Sequence, residues 1–277
     1  MKKGAKIRII IPTLGRMDNQ ISYNNLPKYW QKKTIFVVQV HEYDEMEKRY
    51  PGQVKVLPGH VDKIAGTRKW IYENYSKDRY FVLDDDLQFQ LKSLDKTGNK
   101  IWCTHYMSDQ DFDDGMAQVS DWMDEGISFG CWNPTWVIPS INLYPHVENS
   151  RIMTNCFFNG PALPDDLEWE RTISSEDMDT TLQLLSRGYE NRCSTRFMSN
   201  PGPSAGEGGC SAYRTLEVHN ESQRKLAAIW PDFVRTHEKI VLSGGFKGKM
   251  RLMTRVQWKK AFASSQKTDN DLEDLFG

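Results

Sequence analysis

Three carboxylates stand side by side at Asp84-Asp85-Asp86, directly after the apolar run Tyr80-Phe81-Val82-Leu83. Adjacent acids repel one another and are costly to dehydrate without a cation. Hard oxygen ligands of this kind suit Mg²⁺ or Mn²⁺, usually with phosphate oxygens completing the shell. A strand that delivers them at its C-terminal end puts them where α/β proteins bind ligands. The bland alternative is an acidic, solvated turn, which is the commoner case for an isolated Asp triplet. A second acid pair, Glu176-Asp177, opens an expected helix. The N-terminal dipole there keeps carboxylates ionised, so the pair either complements the dipole or supplies a general base worth ~10²–10⁴-fold.

The elements that must position these groups are legible as apolar runs. Ile7-Arg8-Ile9-Ile10-Ile11, stopped by Pro12, Thr34 to Val40, Val54 to Leu57 and Arg79 to Leu83 read as four strands. Between the last two, Ile64, Arg68, Ile71 and Tyr75 recur at helical spacing over Lys63 to Asn74. Continuous apolar strands separated by helical segments indicate a parallel sheet covered on both faces. Asp109 is expected to cap a helix with Phe112, Met116, Val119 and Met123 on its buried stripe, ending at Gly126. Its many acids fall opposite that stripe and read as a solvated face. Gly126 to Trp132 and Ile152 to Phe158 are further expected strands.

Ser174 with Asp177 reads as a capping box for a helix carrying Met178, Leu182 and Leu185 and closed by Gly188. Asn191 to Phe197 reads as a strand, and a last helix is expected from about Asn220 to Ile229. Between them, Pro201 to Gly209 is rich in Gly and Pro and reads as a lid or a linker.

Composition narrows the class. Acids and bases balance, 37 against 36, so nothing pulls the whole chain toward nucleic acid or membrane. No apolar run approaches the ~20 residues that span a bilayer, and Met1-Lys2-Lys3-Gly4 runs straight into a strand. Neither a signal peptide nor a membrane partner is expected, and a cytoplasmic setting follows. The five cysteines are widely spaced without a C-x-x-C, which fits reduced thiols and argues against structural zinc.

Five segments in order resemble the GT-A glycosyltransferases, the nucleotide-sugar enzymes with a DXD motif. They are Ile9-Ile10-Ile11-Pro12-Thr13 with Arg16, Lys63-Ile64-Ala65-Gly66-Thr67-Arg68, Leu83-Asp84-Asp85-Asp86, Glu176-Asp177-Met178-Asp179 through Arg187-Gly188-Tyr189, and His219. The resemblance covers most of residues 6–230 and implies an α/β, Rossmann-like fold with a mostly parallel sheet flanked by helices. It implies a nucleotide-sugar donor, a UDP-sugar, and a divalent metal held by Asp84 and Asp86, with His219 as a further ligand. In that family one of the two carboxylates often contacts the ribose instead, and Asp85 can replace either. A metal so held would stabilise charge building on the diphosphate leaving group. Arg68 would pair with the diphosphate or brace the acids. Asp177 is the first choice as base for an acceptor hydroxyl and Glu176 the second; such a base fits an inverting reaction, with retention left open. Pro12, Thr13, Arg16, Gln39, His41 and Glu42, in the loops after the first two strands, are placed by fold analogy around the nucleotide.

The acceptor is suggested by charge. From Arg235 to Lys267 nine basic residues face a single acid, Glu238, giving a local net charge of about +8 with interleaved Phe246 and Trp258. An acidic tail follows from residue 268. The chain is thereby divided into 1–232, a glycosyltransferase domain, 233–267, a basic C-terminal extension, and 268–277, a disordered acidic tail. The compact size, the Leu83 to Leu87 strand end and the Val218-His219-Asn220-Glu221-Ser222 segment resemble the phage TET-associated glycosyltransferases. That resemblance implies a hydroxymethylated pyrimidine in DNA as acceptor, flipped out for reaction, with Phe157, Phe158 or tryptophans as candidates to stack on it. Competing readings are a glycosyltransferase for a soluble glycan or small molecule, a nucleotidyltransferase and a non-catalytic nucleic-acid-binding module.

Overall fold

The computed structural model describes residues 7–94, 102–136, 146–201, 209, 213–242 and 246–266. The Gly-rich stretch 202–208 and the acidic tail lie outside the described residues. In chain order the elements are β1 (Ile7–Pro12), α1 (Ile21–Asn24), α2 (Lys28–Gln31), β2 (Thr34–Val38), α3 (Tyr43–Arg49), β3 (Val54–Val56), α4 (Ile64–Tyr75), β4 (Arg79–Leu83), β5 (Leu87–Leu94), β6 (Trp102–Tyr106), α5 (Asp109–Asp124), β7 (Phe129–Pro134), β8 (His146–Glu148), β9 (Asn155–Asn159), α6 (Glu176–Leu185), β10 (Asn191–Pro201), α7 (Leu216–Ile229), β11 (Val234–Ile240) and β12 (Met250–Val256). A last helix, α8, covers 258–266.

One large sheet organises the chain, in the order β3-β2-β1-β4-β9-β7-β10-β5-β6, with β8 paired to β10. The first four strands are parallel neighbours, as their continuous apolar runs require. Beyond β4 the sheet is mixed: β9 and β5 run against the other strands of this path. Both faces are covered. Ile9, Ile11, Phe81 and Leu83 pack against Phe112, Met116, Val119 and Met123 of α5 on one side. Ile10, Val37, Tyr80 and Val82 pack against Ile71 and Tyr75 of α4 and Leu182 and Leu185 of α6 on the other. Burying each such side chain contributes roughly 1.5–3 kcal/mol.

Three local expectations are corrected. Helix α5 is capped by Ser108, not Asp109: the Ser108 hydroxyl accepts from Asp111 N at 3.2 Å, and the Asp111 carboxylate accepts from Ser108 N at 2.9 Å. Helix α6 starts one residue later than the expected Ser174–Asp177 box requires: Ser175 precedes it, Asp177 falls at its second position, and the Asp177 carboxylate accepts from Arg151. Helix α7 begins at Leu216, where Thr215 supplies a side-chain cap to Val218 N. The strand pair β5 and β6 was not among the expected elements. Its alternation of buried Leu87, Phe89 and Leu91 with Gln88 and Gln90 marks an antiparallel strand rather than a continuous apolar run.

Candidate active site

The strand order sets the place. The chain leaves β1 for β2 on one side and reaches β4 on the other, so the C-terminal ends of β1 and β4 flank a topological switch point, where α/β sheets open a ligand crevice. Thr13 and Arg16 follow β1 there, and Asp84-Asp85-Asp86 follow β4.

The three acids are not equivalent. Asp85 points inward, only 5% exposed. Its carboxylate accepts from the Thr13 hydroxyl at 2.7 Å and from the Arg16 guanidinium. Arg16 also reaches Asp86 Oδ2 at 3.0 Å, and Gln20 donates to the Thr13 hydroxyl at 2.9 Å. Asp85 thus ties the β1 loop to the β4 turn, and Asp84 and Asp86 keep more of their surface, with side chains 35% and 25% exposed. Ser22 holds the turn's backbone: its N–H donates to Asp85 O at 3.0 Å, its hydroxyl donates to Asp84 O and accepts from Leu87 N at 2.8 Å. Asp84 N donates to the carbonyl of Thr154, whose φ of 52° is a strained setting for a β-branched residue beside the site.

Arg68 joins this turn to helix α6. Its side chain is 10% exposed and lies 3.5 Å from Asp84 Oδ1 and 3.7 Å from Glu176 Oε1. Loss of hydration pushes Asp84 up to about 7; Arg68 opposes this, and Asp86, Asp85 and Glu176 add to it. Glu176, 4% exposed, is likewise raised by burial against the pull of Arg68. Gly209 N donates to Leu14 O at 2.7 Å, so the described residue after the Gly-rich stretch lies on the β1 loop, beside Arg16.

Asp177 is committed elsewhere. Arg151 grips its Oδ2 from Nε at 3.1 Å and Nη2 at 2.7 Å. Burial pushes Asp177 up, but Arg151 and then Arg68 outweigh it and hold the carboxylate below its ordinary value. The native state therefore binds fewer protons there than the unfolded chain, whose Asp titrates near ~3.9. The stabilisation is fully present above about pH 5 and fades as pH falls through the folded value. Asp177→Asn is expected to cost roughly 2 kcal/mol at pH 7 and progressively less below about pH 4. Denaturant unfolding against pH reads this, and a cost that does not vary with pH contradicts it.

The remaining expected site residues are dispersed. Pro12 is buried at the end of β1, opposite Val37. Glu42 is 1% exposed and accepts from Gly15 N at 2.5 Å, fixing the β1 loop from beside β2. Gln39 is half-buried and His41 exposed. His219 lies in the first turn of α7, where its Nε2 is 3.0 Å from the Leu252 carbonyl of β12. It is not gathered with Asp84 and Asp86: among the described residues no three His, Cys, Asp or Glu side chains form a group that could hold a metal. Phe157 and Phe158 are core residues, 0% and 4% exposed, so neither is available to stack on a base. Arg151 and Ser22, which the sequence reading passed over, act through tertiary contacts that no local pattern announces.

The sequence matches the family model described as TET-Associated Glycosyltransferase over residues 7–199, from β1 into β10. The chain belongs to that family. It is therefore a glycosyltransferase, and the match takes in every acid of the site just described. It is also similar to two curated proteins described as Beta-glucosyl-HMC-alpha-glucosyl-transferase. The one from Enterobacteria phage T6 is 26% identical over 235 residues, covering 83% of each chain. The one from Enterobacteria phage T2 is 25% identical over 235 residues, again covering 83% of each. Among the described residues no helix of this TET-associated glycosyltransferase is long and apolar enough to cross a membrane.

Proposed function

We propose that this enzyme moves a glucosyl group from a UDP-sugar to a 5-hydroxymethylated pyrimidine in phage DNA, with Mg²⁺ or Mn²⁺ bound by Asp84 and Asp86. The observation that carries the metal reading is the division within the acid triplet. Asp85 is internally paired, whereas Asp84 and Asp86 remain part-open and crowd one another at the switch point. Two carboxylates completed by phosphate oxygens and water are an ordinary setting for Mg²⁺, so these residues fit the ion. When bound, it would neutralise charge on the leaving diphosphate. Arg68, held between Asp84 and Glu176, adds fixed positive charge below the same position.

The name of the two phage relatives supports a narrower acceptor: the glucose already attached to hydroxymethylcytosine. It also supports stereochemical retention, since UDP-glucose carries an α-linked sugar and the name specifies an α-glucosyl product. In a retaining transfer the acceptor oxygen bonds to C1 on the face from which the phosphate oxygen departs. That departing oxygen then takes the hydroxyl proton. Asp177, paired with Arg151 and poor as a base, is compatible with this course and ill suited to the inverting one.

The test is a panel of nucleotide sugars, each with and without Mn²⁺, offered to the enzyme with modified DNA or a soluble glycan. Mn²⁺-dependent use of UDP-glucose with DNA is the expected outcome. Full turnover in excess chelator removes the metal, and transfer to the glycan alone favours the soluble-glycan reading.

A further inference from the structure

The β11–β12 hairpin carries charge arranged against its own stability. Arg235 pairs directly across from Arg255, and Lys239 directly across from Arg251. Like charges placed opposite one another in an antiparallel pair are destabilising. Residues two apart on a strand share a face, so all four cations stand on one side of a short ribbon, with His237 and Met253 between them. Glu238 falls on the other side, across from Leu252. Among the described residues, the hydrogen bonds of these cations go to neutral atoms: Arg235 to the carbonyls of Pro231 and Val234, and Arg251 to Met253 Sδ. Arg235, Lys239 and Arg255 are exposed and Arg251 is partly so.

The opposite face fixes the ribbon beside the active site. Val234 is 1% exposed within the core. The Thr254 hydroxyl donates to Gln223 Oε1 at 2.9 Å, and Gln223 Nε2 donates to the Ser175 hydroxyl at 2.7 Å. Ser175 immediately precedes Glu176 and Asp177 at the start of α6. The basic face is thus tied by two hydrogen bonds to the helix end that closes the site. Helix α7 and the hairpin lie beyond the family match, which ends at residue 199.

We infer that this face, formed by Arg235, Lys239, Arg251 and Arg255, is the docking surface for the phosphate backbone of the acceptor duplex. The inference rests on the DNA reading above and adds the surface that holds the DNA. Charge complementarity selects the occupant. A ribbon that keeps two like-charged pairs face to face is relieved by a dense line of phosphates, and duplex DNA offers one about every 1.7 Å of its axis.

The test is the salt dependence of binding to an unmodified duplex of about 20 base pairs, measured by fluorescence anisotropy on the full chain. Each phosphate contact contributes a slope of about −0.9 in log K against log salt. The triple variant R235Q/K239Q/R255Q is expected to lose about 2–3 units of that slope and to bind at least tenfold more weakly at low salt. Its melting temperature is expected to be unchanged or higher, because cross-strand repulsion is relieved. A charge-matched control, K32Q/K48Q/K55Q, changes exposed lysines elsewhere and is expected to keep the slope. If the triple variant melts early, Arg255→Gln and Lys239→Gln alone are each expected to remove about one unit. Unchanged binding in the hairpin variants, or equal weakening in the control, overturns the surface while leaving the DNA acceptor standing. A wild-type enzyme that binds no duplex at low salt overturns both.

Discussion

Asp86→Asn is expected to lower sugar transfer about 10³-fold or more while unfolding within about 0.5 kcal/mol of the wild type. The side chain is a quarter exposed, and its partner Arg16 retains Asp85 when Asp86 loses its charge. The change therefore removes a ligand for the ion without opening the fold. Asp85→Asn is expected to behave in the opposite way. Its carboxylate is 5% exposed and accepts from Thr13 and Arg16, and a buried charged hydrogen bond of this kind is worth about 1.5–3 kcal/mol. Stability falls by that order, and any loss of activity follows from loosening of the β1 loop. Transfer rate and denaturant unfolding, measured on both variants, separate the roles. Full turnover in Asp86→Asn would remove that residue from the metal site.

Arg68→Met is expected to cost about 3 kcal/mol of stability and at least 10²-fold in transfer. Burial alone would strip the guanidinium of its proton more readily, but Glu176, Asp84 and Asp177 more than compensate and keep it charged. Removing it strands Glu176, 4% exposed, and leaves Asp84 among three other carboxylates. The stability figure is at the low end of the range for a broken buried pair because Asp84 is about a third open. The double variant Arg68→Met/Glu176→Gln is expected to recover most of the stability and little of the transfer, since the stranded charge is gone but so is the guanidinium. A double variant as unstable as the sum of its parts would mean that Arg68 acts by packing rather than by charge.

The parallel half of the sheet was legible because its strands are buried on both faces and so spell themselves as unbroken apolar runs. Ile9-Ile10-Ile11 illustrates this, its residues dividing between two cores. The antiparallel half was less legible, since Leu87 to Leu91 alternates and its half-buried polar face dilutes the apolar signal. In the site, the Asp triplet and Arg68 were visible as residue types at a strand end and on a helix face. What each acid does was not. Asp85 differs from its neighbours only through Thr13 and Arg16, some 70 residues earlier in the chain. Asp177 is distinguished from Glu176 by Arg151, which sits in a segment without periodicity. His219 resembled a ligand by its place after a Gly-rich stretch, but α7 starts early and turns the ring to the Leu252 carbonyl. The basic run from Arg235 was legible as charge interleaved with aromatics; the pairing of its strands is what aligns that charge on one face.

Glucosyl transfer to modified DNA is tested most directly by mass spectrometry of nucleosides from three duplexes incubated with the enzyme, UDP-glucose and Mn²⁺. The duplexes carry cytosine, 5-hydroxymethylcytosine or β-glucosyl-5-hydroxymethylcytosine at the same positions. One added hexose is expected on a hydroxymethylated base, greatest on the β-glucosylated form, and none on cytosine. No hexose on either hydroxymethylated duplex, with UDP-glucose consumed on a soluble acceptor instead, would contradict it.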